Sequence, residues 1–274
     1  MTDVLKTALI QMTAGPDIME NVHEVSGMIR AAAGQGAAFI ATPENTDRML
    51  ADPVRKMRES YAMEEHPAVA AFSNLAKSLS VHVLIGSLTS IRVGDKLANR
   101  SLLFAPDGRL AAAYDKIHMF DVQLPNGDVY RESDAHAPGA KAVIAEAGGV
   151  KLGLSICYDV RFPHLYRAMA QRGAQVLCVP AAFTVPTGKA HWEILLRARA
   201  IENGAFVIAP GQCGVHDGGR GTWGHSLAIS PWGDVLADGG DTPGIVMADL
   251  DMAEVAKARA AIPSLQHDRE IIFQ

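Results

Sequence analysis

Cys157 closes the apolar run 150–156 and shortly precedes a helix-like stretch, in Leu154-Ser155-Ile156-Cys157-Tyr158-Asp159. A strand–nucleophile–helix turn exposes a reactive sulfur and aims backbone N–H groups at it, which also favours the thiolate. Glu44 follows Pro43, which stops the run 37–42 and leaves a carboxylate at a strand's C-terminal edge, where α/β sheets place ligand sites. Lys116 directly follows the run 109–114 in Tyr114-Asp115-Lys116-Ile117-His118. A lysine held among apolar and aromatic neighbours can stabilise developing negative charge. Glu132 lies between Lys116 and Cys157 in a polar, turn-rich stretch.

Each residue also has a plainer reading when taken alone. Glu44 and Glu132 read as solvated glutamates, Lys116 as a surface lysine with its stem packed, and Cys157 as an inert buried thiol. Cys178 lies inside a strand and reads as core. Cys213, in Gly211-Gln212-Cys213-Gly214, is a weaker nucleophile candidate. There is no CxxC and no HExxH, so no zinc site or other metal is expected.

The elements that must position these residues alternate. Strands are expected over 5–12, 37–42, 81–86, 150–156, 175–179, 205–209 and 245–250, and helices over 18–33, 66–79, 162–172, 189–203 and 252–261. Hairpins are expected around Pro106-Asp107-Gly108 and Pro231-Trp232-Gly233. Crossover helices together with hairpins imply an α/β fold with a mixed sheet and helices outside. No composition break, linker or repeat divides residues 1–274, so one domain is expected.

Composition bounds the function further. Hydrophobic residues make up 49% and charged residues 20%, which argues against long disorder. The formal net charge of −5 gives no general attraction for nucleic acid or an anionic membrane. The longest apolar runs, such as 204–210, suit buried strands rather than a membrane span. The first fifteen residues carry no secretory signal pattern, and three cysteines make no disulfide framework, so a cytoplasmic protein is expected.

Taken in order, Pro43-Glu44-Asn45, Asp115-Lys116-Ile117-His118, Glu132-Ser133 and Cys157-Tyr158-Asp159 with Arg161-Phe162-Pro163 resemble the nitrilase, or carbon–nitrogen hydrolase, superfamily. The distal segments His191-Trp192-Glu193, Arg197 to Asn203, Gly224-His225-Ser226 and Pro231-Trp232-Gly233 extend the likeness over nearly the whole chain. The resemblance overturns the separate plain readings of Glu44, Lys116 and Cys157. It implies a four-layer αββα sandwich, subunits that pair as a homodimer or larger oligomer, no cofactor, and a Glu–Lys–Cys triad with a second glutamate nearby. Within the superfamily the chain looks most like the Nit branch, whose members hydrolyse small carboxylate-bearing amides. The stretch 182–193 and Gln212-Cys213-Gly214 resemble the deaminated-glutathione amidase group, with the ω-amidase group close beside it. Trp223 stands where tyrosine is common in that branch, a conservative departure.

On that resemblance Glu44 would act as general base, Cys157 as nucleophile, Lys116 and the Tyr158 N–H as oxyanion donors, and Glu132 as a support. The product sequence would be a thioester, then acid, with ammonia or an amine released. Arg161 could grip a substrate carboxylate or serve a structural ion pair. Phe183 and Thr184 could line the pocket or simply pack a loop. Competing readings are a Cys–His hydrolase using His164 or His191, a nitrilase or N-carbamoyl hydrolase, and a sensor or scaffold without catalysis.

Overall fold

The computed structural model describes residues 4–124 and 127–273. The chain begins with β1 (Val4–Gln11), α1 (Ile18–Gly34), β2 (Phe39–Ala41), α2 (Pro53–Arg58), α3 (Pro67–Leu79), β3 (His82–Val93), β4 (Lys96–Phe104) and β5 (Leu110–Asp115). A small hairpin, β6 (Asp121–Gln123) with β7 (Val129–Arg131), and the short α4 (Glu132–Ala135) lead on to β8 (Val143–Ala147) and β9 (Val150–Leu154). Next come α5 (Pro163–Gln171), β10 (Val176–Cys178), α6 (Val185–Asn203), β11 (Phe206–Ala209), β12 (Cys213–Val215) and β13 (Gly221–Trp223). The chain closes with β14 (Leu227–Ile229), β15 (Val235–Asp238), β16 (Gly244–Asp251) and α7 (Met252–Ala261).

Two six-stranded sheets form, ordered β16-β1-β2-β3-β4-β5 and β15-β14-β11-β10-β9-β8. Each has three parallel strands at its centre, β1-β2-β3 in one and β9-β10-β11 in the other, with antiparallel neighbours outside. Alternation along the strands decides the layers, because successive side chains point to opposite faces. Leu9, Phe39, Leu84 and Leu103 face the second sheet and share a core with Leu152, Leu154 and Ile208. Their neighbours Ile10, Ile40, Ile85 and Leu102 face the other way and pack on α1 and α3. Tyr166, Met169, Trp192 and Leu196 of α5 and α6 cover the far face of the second sheet. The result is the αββα sandwich that the sequence led us to expect.

The helices form for local reasons. Asp17 accepts hydrogen bonds from Met19 and Glu20 N–H, satisfying the first donors of α1. Val22, Val25 and Ile29 of α1 recur at helical spacing and are buried, each worth about 2 kcal/mol of transfer free energy. Pro67 opens α3 where a missing N–H costs nothing, and Gly204 closes α6 at φ +50.

Several elements differ from the sequence expectation, β3 and α6 most usefully. β3 does not stop at residue 86 but runs to Val93 and turns through Gly94 (φ +63) into β4. Its polar residues Ser87, Thr89 and Ser90 are buried, which hides the strand from any reading by apolar period. Asp47 offsets the cost, accepting from the Thr89 and Ser90 N–H groups and the Thr89 hydroxyl. α6 begins at Val185 rather than at residue 189, and so takes in Gly188. That glycine is a packing residue: a Cβ there would lie 2.3 Å from the Trp223 ring. Ile201, near the end of α6, is 52% exposed and lies against Gly233.

Candidate active site

The reactive residues arrive from both sheets. Glu44 follows the C-terminal end of β2, and Lys116 follows β5. Cys157 follows the C-terminal end of β9, while Ala182 to Thr184 follow β10. Gly86 of β3 allows the two sets of loops to meet. A Cβ there would lie 2.1 Å from the Thr42 carbonyl oxygen and 2.5 Å from the Pro180 side chain. Thr42-Pro43 leads into Glu44, and Pro180 holds the nucleophile by accepting the Cys157 N–H at 2.9 Å.

Lys116 is buried and its ammonium bridges two carboxylates, at 2.9 Å from Glu44 Oε1 and 2.7 Å from Glu132 Oε2. The amide nitrogen of Asn99, on β4, donates to both, at 2.9 Å to Glu44 Oε1 and 2.9 Å to Glu132 Oε1. The Ala182 N–H donates to Glu44 Oε2 at 2.8 Å, and the Phe120 N–H to Glu132 Oε2 at 2.7 Å. Burial works against the Lys116 charge, but Glu132 and Glu44 outweigh it and raise its pKa. Burial alone would raise Glu132, yet Lys116, with help from His136 and Asn99, holds it down at about 2. Lys116 therefore stays an ammonium and Glu132 a carboxylate across the working pH range.

Cys157 adopts φ +49, a left-handed conformation that a β-carbon makes unfavourable. Asp159 holds this turn. Its carboxylate is fully buried and accepts from the Ile156 N–H at 2.9 Å, the Tyr114 hydroxyl at 2.7 Å and the His118 N–H at 3.0 Å. The His118 ring nitrogen Nδ1 lies 2.7 Å from the same carboxylate, and the ring stacks on Phe162 at 3.5 Å. These bonds tie the Lys116 loop to the Cys157 turn. Burial first, then the adjacent Glu44 carboxylate, pushes the Cys157 thiol well above its usual pKa, against a smaller opposing pull from Lys116. Cys157 thus rests as a neutral thiol beside the Glu44 carboxyl group, an arrangement that suits a nucleophile and its base. The Tyr158 N–H, in the first turn of the short helical segment Cys157–Arg161, is one of the donors such a turn leaves without an internal partner.

A cavity of about 520 Å³ opens onto this constellation. Glu44, Lys116, Glu132, Cys157, Tyr158, Phe183 and Thr184 all line it, so seven of the eight residues singled out in the sequence meet there. Arg161 is not among the lining residues. Its guanidinium sits 5.9 Å from the Tyr158 ring centre and 5.4 Å from that of Phe183, and it contacts His191 Nδ1 at 3.3 Å. It braces two lining aromatic rings rather than facing the cavity, and no carboxylate among the described residues lies within ion-pair distance of it. Cys213 is also elsewhere, buried with its sulfur 3.6 Å from both the Thr13 hydroxyl and the Met12 carbonyl. Cys178 is core, as expected. His164 packs edge-on against Phe162 and, like His191, does not line the cavity.

Sequence reasoning missed Asn99, Asp159, His118, Lys56, Arg220 and His136. Asn99 had no clear signal, because it stands beside Arg100 and Ser101 in a mixed stretch and the strand around it was not recognised. Asp159 and His118 stood in quoted motifs without a role. The other three line the cavity from segments that carried no strand or helix expectation.

The sequence profile of the carbon–nitrogen hydrolase family matches residues 6–260. A deaminated glutathione amidase of Synechocystis sp. is 43% identical over 95% of this chain and 96% of its own length. Human omega-amidase NIT2 is 36% identical over 98% of this chain and 96% of its own. The crystal structure of the C. elegans NitFhit protein superposes with a TM-score of 0.91 and 34% identity, covering 98% of this chain and 66% of that longer one. With a match across nearly the whole chain and relatives of this similarity, the protein belongs to the carbon–nitrogen hydrolase family.

Proposed function

We propose that the protein is a cysteine-dependent amidase for small carboxylate-bearing amides, with deaminated glutathione as the foremost substrate. The observation that carries this reading is the buried Cys157 thiol beside a Glu44 carboxylate fixed on three sides by Lys116, Asn99 and the Ala182 N–H. Glu44 takes the thiol proton as sulfur attacks the amide carbonyl. Lys116 has a third N–H left after its two carboxylate bonds, and this proton and the Tyr158 N–H receive the oxyanion. Glu44 then passes its proton to the departing nitrogen, and the C–N bond breaks to leave a thioester. Water, deprotonated by Glu44, attacks the thioester; the C–S bond breaks and the proton returns to sulfur. Glu132 keeps Lys116 charged and in place throughout. Apart from the substrate and the hydrolytic water, every group in these steps belongs to the chain.

The similarity to the Synechocystis amidase supports deaminated glutathione, and that to the human omega-amidase supports 2-oxoglutaramate as the second reading. Both amides yield 2-oxoglutarate. The test is 2-oxoglutarate release from each substrate, with Cys157→Ala as the blank. Preference for deaminated glutathione is expected; preference for 2-oxoglutaramate selects the omega-amidase reading, and release from neither removes both. The same reading includes paired subunits in the cytoplasm; Ile194 and Ile201, exposed on α6, support the pairing, which the sedimentation-equilibrium mass in solution would check.

A further inference from the structure

Glu44 is gripped at both ends. Lys116, Asn99 and the Ala182 N–H hold its carboxylate, while its main chain is held by a residue that takes no part in the steps above. Gln212, 1% exposed, lies between β11 and β12 at the head of Gln212-Cys213-Gly214. Its amide Nε2 donates to the Glu44 carbonyl oxygen at 3.0 Å and reaches the Asn45 carbonyl at 3.4 Å. Its Oε1 accepts the Ala14 N–H at 3.0 Å. One side chain thus ties the loops after β1 and β2, in the first sheet, to the loop after β11 in the second.

The main chain of Gln212 is itself fixed. Its N–H donates to the Ala181 carbonyl at 2.9 Å, and its carbonyl accepts the Gly224 N–H at 3.0 Å. Ala181 precedes Ala182, whose N–H meets Glu44 Oε2 at 2.8 Å. The paired segments 181–182 and 211–212 therefore hold one residue by its carboxylate and by its backbone. The backbone at this point needs holding. Asn45 turns at φ +60, in the left-handed region that a β-carbon disfavours, with its N–H bound to the Ser87 hydroxyl at 2.9 Å.

We infer that Gln212 is a positioning residue, which keeps the backbone of Glu44 in place while the carboxyl group is neutral. This rests on the reading of Glu44 as the base. An ionised carboxylate only accepts hydrogen bonds, and Lys116, Asn99 and Ala182 all donate to it. Once Glu44 has taken the thiol proton, one of its oxygens must donate, and the charge that strengthened those three bonds is gone. The side chain is then held least at the moment it must deliver its proton to the departing nitrogen. The main-chain carbonyl of Glu44 carries no charge in any step, so its bond to Gln212 keeps its strength throughout. A misplacement of about 1 Å in such a group can cost about 10²-fold in rate, which is what an anchor independent of charge prevents.

The test sets Gln212→Met against Gln11→Met. Gln11 is also buried and clasps another loop in the same manner, donating to the Gly239, Gly240 and Thr242 carbonyls and accepting the Ser226 N–H. Well below the melting transition, kcat for deaminated glutathione should fall about 10- to 100-fold in Gln212→Met with KM within about twofold, and less than about threefold in Gln11→Met. An equal fall in the two variants, or a loss confined to KM, overturns the proposal. Gln212→Glu keeps an acceptor for Ala14 but, ionised, offers no donor to the Glu44 carbonyl, and it serves too where the methionine variant does not fold. It should be slowed to a similar extent, and wild-type kcat there overturns the proposal. In a Glu44→Asp background, where the carboxylate is already withdrawn, Gln212→Met should cost less than about threefold more, and independent, multiplying losses overturn it. Alkylation of Cys157 by iodoacetamide, with Cys157→Ala as the blank, needs no turnover, and its rate should fall in Gln212→Met as in Glu44→Asp. Alkylation slowed in Glu44→Asp but not in Gln212→Met overturns the inference and leaves the amidase standing. Alkylation at the wild-type rate in Glu44→Asp removes Glu44 as the base and takes the inference with it.

Discussion

The cavity has two walls built on opposite terms. On one, Glu44, Lys116, Glu132 and Asn99 bond to one another and to the backbone of Phe120 and Ala182. On the other, Lys56, Arg220 and His136 line the same space with donors unmade. The difference separates chemistry from recognition. Catalytic groups gain from being fixed before substrate arrives, because reorganisation during the reaction would cost rate. Recognition groups gain from unmade bonds, because only those are left for a ligand to complete.

If this division holds, damage to the closed wall lowers turnover of every amide, whereas damage to the open wall alters the choice among amides. The largest effect is expected in Cys157→Ala, a fall of about 10⁴-fold or more in kcat with the fold intact, read by product release beside a thermal melt. Lys116→Met should be inactive and less stable by about 3–5 kcal/mol, since Glu44 and Glu132 lose their shared cation in a buried site. A urea titration would measure that loss, and wild-type stability would break the picture of a closed wall. Asn99→Ala should cost about 1–3 kcal/mol of stability by leaving both carboxylates one donor short. Its kcat should fall on deaminated glutathione and 2-oxoglutaramate alike.

Acid should dismantle the two walls in turn. Burial foremost, and then the nearby Lys56 charge, lowers the His136 pKa to about 4 from 6.5, so the folded ring resists a proton that the unfolded ring accepts. Its contribution is complete above pH 6.5 and is lost as the pH falls toward 4. Glu132 is held at about 2 against 4.5, despite its burial, by Lys116. Its contribution is present above pH 4.5 and is lost as the pH falls toward 2. At about 1.4 kcal/mol per pKa unit, each loss is about 3–4 kcal/mol. Urea unfolding at pH 7, 5 and 3 should show two stages, and His136→Gln should shrink the upper one, to which burial of His82 and His216 also contributes, and leave the lower one in place. A single stage below pH 4.5 in the wild type would remove His136 from the account.

Much of this was legible in the sequence, for a physical reason. Cys157, Glu44 and Lys116 each end an apolar run, and a strand that stops abruptly before a polar residue announces where that residue stands. The buried hydroxyls of β3 gave the opposite signal, because burial paired with hydrogen bonds leaves no apolar period to read. That gap hid Asn99, which lies on the partner strand β4. Arg161 misled by proximity: four residues from the nucleophile along the chain, it ends over the rings of Tyr158 and Phe183 instead of in the cavity. Lys56 and Arg220 lie 164 positions apart by number and meet only through the tertiary fold.

The bond from the Ala182 N–H to Glu44 joins residues 138 positions apart. Glu44, Asn99, Lys116 and Glu132 all precede Cys157 in the chain. During synthesis the base and its cation therefore emerge first, and the sulfur they serve leaves the ribosome afterwards. Contacts of such long range close late. A nascent chain thus carries no activated thiol until its second sheet has docked on the first, and chemistry switches on only with completion of the fold.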